Sequence, residues 1–183
     1  MTKYSKLKTI NLLYVEDEED VREEVEDMLG LKVDNLIVAK NGLDGLEAYK
    51  NNDIDIIITD IKMPVMDGLE MISNIREENE AIPIIVTSAF NDSTFLQKAI
   101  DLHVDKYITK PIDITQLFEV LNRASLVIYQ KKELEEKDNM LKNKEKVIAM
   151  SELIENIAHH WRQPLSVIST SASGILLEKS MIY

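Results

Sequence analysis

The sequence predicts an α/β fold: a doubly wound, five-stranded parallel sheet within residues 1–124, followed by a long helical extension. Three observations predict it. Short apolar runs rich in β-branched residues alternate with stretches of helical period as far as residue 124. Ile54 and Ile56 to Ile58, ending at Asp60, form a run too continuously apolar for a strand with one wet face; both faces must be covered. Residues 114–158 contain no Gly and no Pro, so nothing there stops a helix.

Residues 9–15 read as a first buried strand, followed at once by Glu16-Asp17-Glu18-Glu19-Asp20. Acids favour a helix N-terminus, so this run suits the first turn before a helix over 21–29. Two acids at a strand end are equally cation ligands. Residues 36–39 form a short second strand, and 42–49 a helix with Leu43, Leu46 and Ala48 as a modest inner face. The strand ending at Asp60 comes next, then a loop marked by Pro64 and Gly68. A third helix from about Asp67 puts Leu69, Ile72 and Ile75 on one side. Residues 82–87 are a fourth strand, 93–102 a fourth helix, and 106–108 a fifth strand closed by Thr109-Lys110-Pro111.

At 183 residues and 45% hydrophobic content, the chain can bury one core and carry an appendage. The absence of cysteine excludes disulfides and thiolate metal sites and fits a cytoplasmic location. No apolar run approaches the roughly 20 residues that span a bilayer, and no membrane segment or signal peptide is expected. The net charge of −12 is unevenly placed. Residues 125–183 hold 8 basic and 8 acidic side chains, and residues 1–124 the other 13 and 25. An acidic domain disfavours nucleic acid as a direct partner and suits a divalent cation or a basic protein surface.

Right-handed crossovers put the carboxyl ends of all parallel strands on one edge. Asp17, Asp60, Thr87 and Lys110 then converge there, where open α/β sheets bind ligands. Asp60 alone could simply cap a loop, but the convergence points to chemistry. Hard cations such as Mg²⁺ take oxygen ligands, which Asp17 and Asp60 can supply, with Glu16 acting directly or through water. Lys110 offers a point charge to a phosphate oxygen and Thr87 a hydroxyl. Asp60 is then the nucleophile and an acyl phosphate the product.

Glu16-Asp17, Asp60 followed by Met63-Pro64 and Asp67-Gly68, Thr87-Ser88-Ala89, and Tyr107 three before Lys110-Pro111 together resemble the receiver domain of two-component response regulators, a flavodoxin-like fold. The resemblance covers residues 7–124. It implies that Asp60 accepts a phosphoryl group from a phosphohistidine on a histidine kinase or a histidine phosphotransfer protein. It further implies that Asp17, Asp60 and the Lys62 backbone carbonyl ligate Mg²⁺, and that Thr87 and Tyr107 act as a switch pair. One departure is the Leu102-His103-Val104 turn, where many members have glycine and alanine.

Beyond residue 124 the helix is expected to continue. Val120, Val127, Leu134, Leu141 and Ile148 recur every seven residues, with Leu126, Met140, Val147 and Ile154 on a neighbouring row. The seam is thin, because Gln130, Lys137 and Lys144 occupy the second apolar position. It suits a weak parallel homodimer or docking against the receiver, with Asp138-Asn139 as the place for a break, so residues 125–150 are read as a helical linker or coiled coil. Within 151–183, Ala158-His159-x-x-Arg162-x-Pro164-Leu165 resembles the phosphoacceptor box of sensor histidine kinases, in their dimerisation and phosphotransfer helices. His159 would be the phosphohistidine. His160 stands where an acid or amide is usual, and Gln163 where Asn or Thr often orients a hydrolytic water.

No ATP-binding domain follows, so the chain is expected to be part of a hybrid-type kinase that cannot phosphorylate His159 by itself. The alternative is a stand-alone regulator whose tail is a dimerisation or protein-interaction arm with an inert histidine box. Phosphohydrolase chemistry is weaker, since position 62 is Lys where a general acid would be needed. The tail also lacks the basic surface and helix-turn-helix pattern of a DNA-binding output.

Overall fold

The computed structural model describes residues 7–89 and 93–180, apart from the side chains of residues 93, 94, 163 and 165–180. A 3₁₀ turn, Leu7–Thr9, leads into β1 (Asn11–Val15), α1 (Glu19–Gly30), β2 (Asn35–Ala39), α2 (Gly42–Asn51) and β3 (Ile56–Asp60). There follow α3 (Gly68–Glu78), β4 (Ile84–Ser88), α4 (Ser93–Asp101), β5 (Lys106–Thr109) and α5 (Ile114–Ser180). All strands are parallel, in the order β2-β1-β3-β4-β5. The doubly wound five-stranded sheet is therefore as expected. The chain divides into two compact units, Met1–Lys131 and Lys132–Tyr183.

Period-2 alternation divides the strand side chains between two cores. Leu13, Val15, Ile57, Ile84 and Val86 face one layer, with Leu69, Ile72 and Ile75 of α3 and Ala99 of α4. Leu12, Tyr14, Ile56, Ile58, Ile85 and Ile108 face the other, with Val25 and Leu29 of α1 and Leu117 and Leu121 of α5. Strands β3 and β4 are buried along their whole length, which explains their near-continuous apolar sequence.

Local chemistry starts the helices. Asn41 caps α2 by accepting from the Asp44 N–H at 2.9 Å, and Asp67 caps α3 by accepting from Glu70 N–H at 2.8 Å. Asp113 does the same for α5, accepting from Thr115 N–H at 2.8 Å.

Several boundaries and faces differ from the sequence expectation. The first strand starts at Asn11, because Leu7–Thr9 closes a tight turn with Ile10 N–H donating to the Leu7 carbonyl. Leu43 is 40% exposed and is no inner-face residue. The buried residues of α2 are Gly42 and Gly45, and a Cβ on Gly45 would lie 2.7 Å from Met71 Sδ, so α2 lies close against its neighbours. There is no break at Asp138-Asn139: α5 is continuous, and Asp138 pairs with Lys142 one turn on at 2.6 Å. Val120 packs on the second core and leaves the outward seam.

His103 adopts φ 52°, the left-handed region that a glycine in this turn would occupy without strain. Its carbonyl accepts from Arg76, whose guanidinium also donates to the carbonyls of Leu102, Ile82 and Asn79. Arg76 therefore ties the segments entering β4 and β5 together at the end of the sheet remote from Asp60.

Candidate functional site

Register and alternation build the site. Val15 pairs with Thr59, and Asp60 with Thr87, so Glu16, Asp60 and Thr87 end adjacent strands at one level. By parity Glu16 follows Tyr14, Asp60 follows Ile58, Thr87 follows Ile85 and Lys110 follows Ile108 on the same face. One apolar sheet face thus finishes in a row of polar groups.

Lys110 ties the row together. Its Nζ donates to Asp60 Oδ2 at 2.5 Å and to Glu16 Oε1 at 2.8 Å, with Glu18 Oε1 at 3.8 Å. The second Asp60 oxygen, Oδ1, accepts from the Ile61 N–H at 2.6 Å. Glu16 is fully buried, and its Oε2 accepts from the Tyr14 hydroxyl at 3.3 Å. Arg22 of α1 donates to the carbonyls of Glu16 and Asp17 at 2.9 and 3.1 Å, fixing the acid-bearing loop.

Burial pushes the Glu16 carboxyl above its ordinary pKa against the opposing pull of Lys110. Burial alone would lower the Lys110 ammonium, but its bonds to Asp60 and Glu16 outweigh that and raise it above 10.5.

Glu16, Asp17 and Asp60 each offer an oxygen within 4.8 Å of the others. Oxygens about 2.1 Å from a Mg²⁺ ion stand about 3 to 4.2 Å apart, so the set needs only a small contraction to hold one. The donor set, three carboxylates with no nitrogen or sulfur, also suits a hard cation. The Thr87 hydroxyl is buried and has no hydrogen-bond partner. An orphaned buried hydroxyl costs about 1–3 kcal/mol, and it is the feature expected where a ligand oxygen belongs.

The loop after β3 is pressed close. A Cβ on Gly68 would fall 2.0 Å from the Asp60 carbonyl oxygen, and one on Gly42 would fall 2.6 Å from the Met66 carbonyl. Within this loop Val65 has φ 73°. The Lys62 side chain is exposed and lies over the Phe95 ring, 5.0 Å from its centroid. Tyr107 stands apart from the row: alternation sends it to the opposite face, where it is half-buried against the first core.

The structure thus brings Glu16, Asp17, Asp60, Thr87 and Lys110 together, and places Tyr107 across the sheet from them. His159 and His160 are exposed on α5 with Trp161 and Arg162, and Pro164 lies within that helix. The Gln163 side chain lies outside the described residues. Sequence reasoning missed Tyr14 and Arg22; the available signal for Tyr14 was its position two before Glu16 on a strand.

Residues 12–122 match the model of the response regulator receiver domain. The chain is 33% identical over 108 residues to Response regulator RR06 of Streptococcus pneumoniae, covering 59% of this chain and 49% of that one. It is 31% identical over 111 residues to the Chemotaxis protein CheY of Halobacterium salinarum, covering 61% of this chain and 92% of the relative. The N-terminal domain of an uncharacterized protein from Wolinella succinogenes superposes with TM-score 0.65 at 33% identity, over 67% of this chain and 98% of that domain. The match spans about half the length of RR06, and less than a third of a Cyclic di-GMP phosphodiesterase of Thermotoga maritima at 29%. Among the described residues no helix is long and apolar enough to cross a membrane. The sheet order, the acidic cluster beside Lys110 and the matched family model agree: this chain belongs to the response regulator receiver domain family, and its role lies in two-component signalling.

Proposed function

We propose that Asp60 accepts a phosphoryl group from a phosphohistidine on a histidine kinase or histidine phosphotransfer protein, and that this state regulates an attached histidine-kinase helix carrying His159 through a helical dimer. The observation that carries the first half is the ring of groups around Asp60: Lys110 bridging it to Glu16, and an orphaned Thr87 hydroxyl in register beside it.

In the transfer, an Asp60 carboxylate oxygen forms a bond to phosphorus while the phosphorus–nitrogen bond breaks, its electron pair returning to the imidazole of the donor. Asp17, Asp60 and the Lys62 carbonyl, with Glu16 beside them, would hold Mg²⁺, which would neutralise the phosphoryl charge. Lys110 exchanges its bond with an Asp60 oxygen for one to a phosphoryl oxygen, and Thr87 donates its hydroxyl to another. Tyr107 then responds to the movement of Thr87 from across the sheet.

For the second half, the support lies in the tail. Leu134, Met140, Leu141, Val147, Ile148, Met150, Leu153, Ile154, Ile157 and Trp161 are all more than half exposed. That much apolar surface on one helix calls for a partner helix. The same observation serves the second reading, a stand-alone regulator whose tail is a dimerisation arm with an inert histidine box.

Acetyl phosphate with Mg²⁺ should place a phosphoryl adduct on the peptide containing Asp60, read by mass spectrometry, and Asp60→Asn should lose it entirely. Unmodified, well-folded protein would refute the proposal. A complete histidine-kinase catalytic domain with ATP separates the two tail readings, by labelling the chain in a manner abolished by His159→Gln or by not labelling it.

A further inference from the structure

Tyr14 is the one fully buried aromatic in a sheet face otherwise made of aliphatic side chains, Leu12, Ile56, Ile58, Ile85 and Ile108. A phenol placed there must find an acceptor, since an unpaired buried hydroxyl costs about 1–3 kcal/mol. Its acceptor is Glu16, two residues on and on the same face. Glu16 in turn is a fully buried carboxylate with a donor on each oxygen, Lys110 on Oε1 and Tyr14 on Oε2. With both oxygens held, the carboxylate cannot turn about its Cγ–Cδ bond.

We infer that Tyr14 is a positioning residue of the acceptor pocket, its hydroxyl fixing the Glu16 carboxylate and, through it, the site of the divalent cation and of Lys110. This rests on the receiver reading above. Of the two carboxylates hydrogen-bonded to Lys110, Glu16 is the one that transfer leaves chemically unchanged, because Asp60 becomes an acyl phosphate. The Tyr14–Glu16 pair therefore holds the Lys110 ammonium while its other partner changes from carboxylate to phosphoryl oxygen. The same pair presents the buried negative charge of Glu16 beside Asp17 and Asp60 in a constant direction. Groups that orient a metal ligand from behind commonly change affinity by 10–100-fold. At 3.3 Å this bond is a long one, so an effect near the lower end is expected.

The test measures Mg²⁺ binding by calorimetry, which needs no phosphorylation. Tyr14→Phe keeps the ring and removes the donor. Its Mg²⁺ dissociation constant should rise about tenfold. In a Glu16→Gln background the same substitution should change Mg²⁺ affinity less than twofold, because the group it acts through has lost its charge. An unchanged dissociation constant in Tyr14→Phe, or an equal change in both backgrounds, would overturn the inference.

Should Tyr14→Phe not fold, Tyr14→Met fills the site with a flexible side chain that carries no donor. There, a dissociation constant raised at least threefold supports the inference, and an unchanged one overturns it. Phosphorylation of the unsubstituted protein by acetyl phosphate separates the two levels. If Asp60 is modified yet Tyr14→Phe binds Mg²⁺ normally, only the positioning role fails; if Asp60 is never modified, the receiver reading fails first.

Discussion

The receiver unit and the helical unit obey the same rule with opposite outcomes. In Met1–Lys131, Leu12, Ile57, Ile58, Met71 and Ile84 are sealed between sheet and helices. In Lys132–Tyr183, Leu134, Leu141 and Ile148 stand out from a helix whose polar residues pair locally, as Glu133 does with Lys137 at 2.7 Å. A side chain buried within its own unit has its contacts decided by that unit. An exposed apolar row has its contacts decided by something else. The first therefore reveals its chemistry in one chain, and the second reveals only where apolar surface is left uncovered.

Truncating one side chain in each unit gives the largest contrast. Ile58→Ala should destabilise the receiver by about 2–5 kcal/mol, from lost burial and the cavity left behind. Leu134→Ala in dilute protein should stay within about 0.5 kcal/mol. Denaturant unfolding checks both, and the comparison breaks if Leu134→Ala becomes costly as protein concentration rises, the mark of an interface between copies.

A smaller effect belongs to pH. The Lys110 pKa is raised by Asp60 and Glu16 above its ordinary 10.5. Its pairing thus contributes stability that is complete below 10.5 and is lost as pH rises through the higher folded value. Metal-free unfolding midpoints followed across that window should fall in the native protein, and the Lys110 contribution to that fall should be missing from Lys110→Met. Raising the pH of the Lys132–Tyr183 unit should produce no such loss from a buried pair.

The smallest effect is expected at Val65, a β-branched residue at φ 73° that is 78% exposed. Left-handed backbone costs an ordinary residue about 1–2 kcal/mol, and Asn bears it better. Val65→Asn should raise receiver stability by about 1 kcal/mol, measured by thermal unfolding.

What was legible follows from the same contrast. Strand β3 announces itself because burial on two faces demands consecutive Ile56, Ile57 and Ile58. The pocket is legible because parallel strands must deliver Asp17, Asp60, Thr87 and Lys110 to one rim. Leu43 misled because helical spacing says which side chains share a face, and the tight approach at Gly45 depends on Met71, 26 positions away. Tyr14 looked like an ordinary strand residue, since its hydroxyl acquires meaning only beside a buried carboxylate. Arg76 was invisible because its hydrogen-bond partners are backbone carbonyls, which any residue could have supplied. For the tail, helix continuity could be read and a break at Asp138 could not be sustained, because lysine one turn on satisfies that acid.

The Arg76 contacts carry a mechanical consequence. With the carbonyls of Ile82, Leu102 and His103 gathered by one guanidinium, strands β4 and β5 are bound at that end as pages are at a spine. The register of the two strands, Ile85 with Lys106 and Val86 with Tyr107, is thus held by a side-chain clasp at one end in addition to the ladder between them.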